Sequence, residues 1–336
     1  MKTRPDPSER VVGIDIARGL AIVGMFVAHA IPRLGDAELL ADGRSSILFA
    51  TLAGVSLGIM TGSQHPLVRG QRSDRVTGIV VRALVLFLLG VVLASLHSGV
   101  AVILHFYALM FLLLIPMLFL RRWLLALIGV VFLFGAPWLG AAQGEVDVGA
   151  PPVSYFVDYF FLNGTYPVLI WMPFLIAGLI ITRSDLLRAK NQVALVGVGT
   201  TAAVAGYGAA IVIPGVNAVA HSGSIAEVTG SGGIAVAVIG ALLWLTAVQR
   251  RSVGRALRVI LWPVGATGSM ALTVYTVQIL ALTVIGGGAE IDYPGWPLLI
   301  GMLLLTFIGA SLWRYFLGKG PLERLLATLA RAPSSS

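Results

Sequence analysis

The sequence predicts an all-α integral membrane protein, a polytopic bundle of about ten transmembrane helices with both termini cytoplasmic. Three observations carry this. Hydrophobic residues fill 57% of the 336 positions and charged residues only 11%, whereas a soluble domain carries about 25% charged residues. Mean hydropathy is +0.93. The apolar residues fall into runs of roughly 17–25, the length that crosses ~30 Å of hydrocarbon, and the charges between the runs alternate in sign from one loop to the next.

The spans are read in order as 12–31, 46–62, 76–96, 99–119, 123–142, 166–182, 193–213, 233–249, 264–285 and 297–316. MKTRPDPSER (1–10) is a cytoplasmic N-terminus leading straight into the first span, with no cleavable signal peptide expected. The second span contains GVSLGIMTG, a close-packing face first and a ligand-approach site second. After the fifth span, 143–165 is amphipathic (VSYFVDYFFL) and is placed at the membrane interface. SGSIAEVTGSGG (222–233) reads as a flexible outer loop before the eighth and shortest span. Residues 11–316 form one transmembrane domain, and 317–336 are a cytoplasmic tail ending in a frayed APSSS.

Orientation follows from the loops. One side receives Lys2, Arg4 and Arg10, then Arg69, Arg72 and Arg75, Arg121 and Arg122, Arg183, Arg188 and Lys190, Arg250 through Arg258, and Arg314 onward. The other side has only Arg33 and Arg44, but holds Asp36, Glu38, Asp42, Glu145, Asp147, Asp158, Glu227, Glu290 and Asp292. The basic side is cytoplasmic. The net charge of +8 is thus a topology signal and not one for nucleic acid. Cysteine is absent, which excludes disulfides, thiolate metal sites and a cysteine acyl-enzyme. The chain has no P-loop, HExxH motif, paired intramembrane carboxylates or internal repeat, and no metal is expected.

The first span, GIDIARGLAIVGMFVAHA, carries Asp15, Arg18 and His29. An ionisable residue at bilayer depth costs ~2.5–3.5 kcal/mol on insertion scales and by default marks function. Arg18 and His29 share a helical face about 16 Å apart, and Asp15 is one turn from Arg18, within reach of an i,i+3 pair. A proton-exchanging imidazole lies toward the outside and an ion pair toward the cytoplasm. Such a stripe would also serve a proton-coupled transporter or lipid flippase.

The arginine, ten residues and histidine of this segment resemble the signature of the transmembrane acyltransferase type 3 family. The wider wording, with LFATLAGVSLGIMTG, is more similar to the catalytic domain of heparan-α-glucosaminide N-acetyltransferase and its bacterial relatives. GSMALTVYTVQIL and WRYFLGKGPLERLL resemble the bacterial domain of unknown function 418. The resemblance implies a membrane acyltransferase of the plasma membrane. It would move an acyl group from cytoplasmic acetyl-CoA, or another acyl-CoA, to a hydroxyl or amine of an outer sugar, glycolipid or lipid-linked acceptor. His29 then maps to the general base and Arg18 to the motif arginine. The chain departs from the heparan-type pattern at His105-Phe106, where a glutamine-arginine pair is expected, and at His29 itself, where asparagine is common.

Acyl transfer from a thioester needs a base, oxyanion donors and cations for the CoA phosphates. His29 is the first candidate base, with His105 as assistant or replacement. Asp15 would fix Arg18 on the CoA pantetheine or diphosphate. Arg72, Arg75 and Arg82 are phosphate candidates, Arg82 the best because it lies two turns inside the third span. Asn163, Tyr166 and Trp171 at the outer end of the sixth span are either an aromatic belt or an acceptor site. Tyr275 and Gln278 share a face of the ninth span, as oxyanion donors or interhelical glue. The oligomeric state, homodimer included, is left open.

Overall fold

The computed structural model describes residues 11–32, 38–144, 151–247, 252–286 and 295–330. The N-terminal segment 1–10, Arg33, Asp36, Glu145, Asp147, Arg250, Arg251, Glu290, Asp292 and the APSSS end lie outside them. All regular structure among the described residues is helical. In chain order the helices are α1 (Val12–Ala30), α2 (Arg44–Met60), α3 (Arg72–Ala94), α4 (Leu104–Leu114), α5 (Arg122–Gln143), α6 (Pro152–Val157) and α7 (Val168–Thr182). They continue with α8 (Ala189–Val212), α9 (Ile225–Ala247), α10 (Ser252–Ile260), α11 (Trp262–Ser269), α12 (Ala271–Gly286), α13 (Trp296–Phe316) and α14 (Pro321–Leu329).

Among the described residues, six helices are long and apolar enough to cross a membrane: α1, α3 with its preceding turn, α5, α8, α9 and α13. A seventh is counted if α11 and α12, bent by 87° at Met270, form one broken span. Three more apolar helices are shorter: α2, α7 and Leu104–Met117.

Length and burial run in opposite directions. The short α2 and α7 are mostly buried, and they pack on each other with the Gly54 face of GVSLGIMTG against the Leu175 backbone of α7. The long α5, α8 and α13 bury only a few residues each and turn Val, Leu, Ile and Phe side chains outward. A soluble protein would not leave such faces open, whereas lipid solvates them as well as a protein core does. The centre is therefore built largely from short helices, joined by the buried faces of α1 and α9.

Three sequence expectations change here. Residues 222–233 are not a flexible loop, because α9 begins at Ile225 and runs through the glycines. Its start has the sequence of a capping box but only half its bonds: the Glu227 N–H donates to Ser224 Oγ at 3.0 Å, while the Glu227 carboxylate reaches past the N-cap to accept from the His221 and Gly223 N–H groups at 2.6 and 2.8 Å. The glycines face α8, where a Cβ on Gly206 would sit 2.6 Å from the Ala226 carbonyl oxygen and one on Gly233 2.6 Å from that of Gly199. The ninth span is not one straight helix but the bent α11–α12 pair. The basic loop after α9 contains a helix, α10. The interfacial reading of 143–165 falls on α6 and a π turn, Asp158–Leu162, with 145–150 outside the described residues.

Candidate functional site

The site begins on α1. Arg18 donates to Asp15 Oδ1 at 2.8 Å, one turn earlier, and to Ser56 Oγ of α2 at 2.9 Å. Ser56 in turn donates to the Leu52 carbonyl at 2.7 Å. The guanidinium is thus aimed by one partner on its own helix and one on the next. It stays 23% exposed and the carboxylate 14%, so neither charge bears the full cost of desolvation. α11 holds this half of α1 from the other side, with Gly268 against the Asp15 backbone and Gly19 against Val264.

At the far end of α1, His29 Nδ1 lies 2.8 Å from the Gln278 side-chain nitrogen of α12. A carboxamide can meet an imidazole in two ways. Its NH2 can donate to an Nδ1 lone pair, or its oxygen can accept from Nδ1–H. Only the second leaves the lone pair on Nε2, where a neutral imidazole acts as a base. Gln278 is 3% exposed, and its Oε1 is buried without a hydrogen-bond partner among the described residues. Leaving such an atom unpaired costs ~1–3 kcal/mol.

The other side of Gln278 faces a cavity of about 610 Å³. It lies between α12 and α13, and Phe26 of α1 closes its back. Apart from Gln278 the lining is almost wholly apolar, with Thr273 and Thr306 the other small polar side chains. Arg18 does not line it.

The position of α12 depends on a residue the sequence reading left without a role. At the 87° break the first N–H groups of α12 have no helical partner. Glu323 of α14 supplies them. Its Oε1 accepts from the Leu272 and Thr273 N–H groups at 2.8 and 3.1 Å, and its Oε2 from the Thr273 hydroxyl at 2.6 Å. A carboxylate is also the charge favoured at a helix N-terminus. This is the task of the Gly320-Pro321-Leu322-Glu323 sequence: Pro321 opens α14, and a Cβ on Gly320 would press to 2.7 Å on Met270 at the break.

The remaining predicted residues separate into groups. Tyr275, one turn before Gln278, accepts the Ile103 N–H at 3.3 Å and so ties α12 to the start of α4. His105 on α4 is 5% exposed and sits among aromatic rings, 4.5 Å from Phe106 and 5.7 Å from Phe160, its Nδ1 without a partner. Arg72 donates to the Leu67 carbonyl at 2.8 Å and lies over the Phe119 ring at 4.4 Å, which commits it to local structure. Arg75 is exposed. Arg82 is half-buried on α3, with a buried Nε that has no partner among the described residues.

Asn163, Tyr166 and Trp171 have different surroundings. Asn163 is exposed and donates to Asp158 at 2.6 Å. Tyr166 and Trp171 are buried edge to face at 5.1 Å. His221, in the turn before α9, stacks on Trp171 at 6.2 Å.

Sequence reasoning missed Ser56, Glu323 and Arg183. Arg183, assigned to a basic loop, is buried at the end of α7 and donates to the Ser63 and Leu118 carbonyls. Burial pushes its pKa below the ordinary arginine value. Among the described residues, no cluster of three or more His, Asp or Glu side chains could hold a metal.

Residues 10–208 match the family model described as heparan-alpha-glucosaminide N-acetyltransferase, catalytic. Residues 181–332 match the model of a protein of unknown function, DUF418. The heparan-type resemblance and the resemblance to the domain of unknown function 418 are therefore present, at the ends where their motifs lie. No curated protein matches the chain.

Proposed function

Because the chain belongs to the heparan-alpha-glucosaminide N-acetyltransferase catalytic family, and so to acetyltransferase-like membrane proteins, we propose that it transfers an acetyl group from cytoplasmic acetyl-CoA to a hydroxyl or amine on the outer side of the cell membrane. The observation that carries the reading is the division of α1. A fixed guanidinium occupies one end and an imidazole held by a buried carboxamide the other, about 16 Å apart along the helix axis.

In this reading all ten apolar segments cross and both termini are cytoplasmic, as the positive-inside rule directs. Arg18, held by Asp15 and Ser56, and Arg82, with its unpaired Nε, receive the CoA diphosphate. His29 takes the acceptor proton on Nε2 while Gln278 accepts from Nδ1–H. The acceptor atom bonds the acyl carbon, the carbon–sulfur bond breaks, and CoA leaves as a thiolate that is reprotonated. Gln278 is the positioning residue, and His105 a reserve base beside the start of α4.

The test is turnover of labelled acetyl-CoA by purified protein in nanodiscs, with sugar and lipid acceptors offered together. His29→Ala is expected to lower transfer by about 10²–10⁴-fold, the range for loss of a general base, with acetyl-CoA binding retained. Arg18→Ala is expected to weaken acetyl-CoA binding about tenfold, or ~1.4 kcal/mol. Absence of acetyl-CoA binding, together with pH-dependent solute flux in proteoliposomes, would replace the enzyme with a proton-coupled transporter.

A further inference from the structure

We propose that the α12–α13 cavity holds the hydrocarbon chain of the acceptor, so that the acetyl group is delivered to the hydroxyl of a membrane lipid. The chemistry rests on the acyl-transfer reading above; the binding site does not.

The cavity has the size of a small-molecule site, about 610 Å³, where such sites run ~300–1,000 Å³. Its lining on α12 runs from Thr273 to Ile285, about 18 Å at 1.5 Å per residue. That is more than half of a ~30 Å hydrocarbon layer. Measured from Gln278 it reaches about 10.5 Å toward Ile285 and about 7.5 Å toward Thr273, which suits the part of an extended chain next to its polar end. The chemistry suits one too, because a free sugar would exchange many water contacts for three small polar side chains.

Gly301 and Gly309 of α13 mark the cavity as open space. Both line it, and a Cβ added to either would meet nothing within 4 Å. They are two turns apart on one face and are not used to bring another helix close.

Gln278 supplies the polar contact. It lines the cavity, is 3% exposed, and has an amide oxygen without a partner. Its amide also touches His29. A hydroxyl both donates and accepts, so it satisfies whichever half of the amide is turned toward it. His29 does not itself line the cavity; Gln278 is the residue that joins the two. For transfer the lipid hydroxyl moves from Gln278 to the Nε2 side of the ring, where its proton passes to His29, its oxygen bonds the acetyl carbon, and CoA thiolate departs to be reprotonated.

The experiment uses full-length protein in phosphatidylcholine nanodiscs without acetyl-CoA, and a hexadecanol carrying a mid-chain diazirine. After photolysis, label is expected on peptides from 271–286 and 296–316. It should fall about tenfold, equivalent to ~1.4 kcal/mol, with excess hexadecanol but not with hexadecane. The same loss is expected in the Gly301→Leu/Gly309→Leu double variant. In Gln278→Leu the alcohol should label no better than a diazirine hexadecane. The competition arm needs no variant, so a folding failure does not shield the proposal.

Label spread evenly over α5, α8 and α13 would overturn it. So would displacement by palmitoyl-CoA but not by hexadecanol, which would assign the cavity to the donor's acyl chain. Cavity labelling without acetyl transfer to any acceptor would remove the acyl-transfer reading and leave the binding site. Transfer to soluble glucosamine that persists in the double variant would do the reverse.

Discussion

Glycine is used in opposite ways at two helix pairs of this protein. Between α8 and α9, Gly199, Gly206 and Gly233 let two backbones meet, and a Cβ at each would press on the facing helix. Between α12 and α13, Gly301 and Gly309 leave a gap. A small residue in a membrane helix therefore marks close packing only where the neighbour has moved in. Where it has not, the same residue marks room for something else.

The contrast can be broken from the tight side first. Gly206→Leu is expected to cost about 3 kcal/mol or more, the upper range for overpacking, read as a lowered thermal midpoint in detergent. A wild-type midpoint would mean the α8–α9 contact is not tight. An intermediate effect belongs to the device that holds the loose pair in place. Glu323→Ala strands the Leu272 and Thr273 N–H groups, at about 2 kcal/mol, and should speed hydrogen exchange at those two amides. Glu323→Gln, which keeps an acceptor oxygen, should lie between. The smallest effect is expected at Gly309→Leu. Its stability should stay within about 0.5 kcal/mol of wild type, as at a surface position, and a large loss would show the cavity to be closed.

The local parts of this architecture were readable in the sequence. The i,i+3 spacing gives the Asp15–Arg18 pair, and eleven residues on one helix put His29 at its other end. The start of α9 was readable and misread. Ser224 and Glu227 spell a capping box, but the Gly- and Ser-rich composition of 222–233 outweighed it. What was illegible depends on partners distant in sequence. No proline lies between α11 and α12, and the break there is stabilised by a carboxylate 51 residues from Leu272. Gln278 on α12 was a candidate, but its partner on α1 is 249 residues away. Arg183 looked like a topology charge because its acceptors, the Ser63 and Leu118 carbonyls, belong to other loops.

Glu323 lies in the last described helix, and it is translated after every other described part of the assembly. A chain cut short of this point would keep the imidazole, its carboxamide and both cavity walls, but would lack the carboxylate that accepts the Leu272 and Thr273 N–H groups at the bend between α11 and α12. Among the described helices, α14 thus completes the N-terminus of the helix that carries Gln278 to His29, so the far end of α1 depends on a carboxylate it never touches.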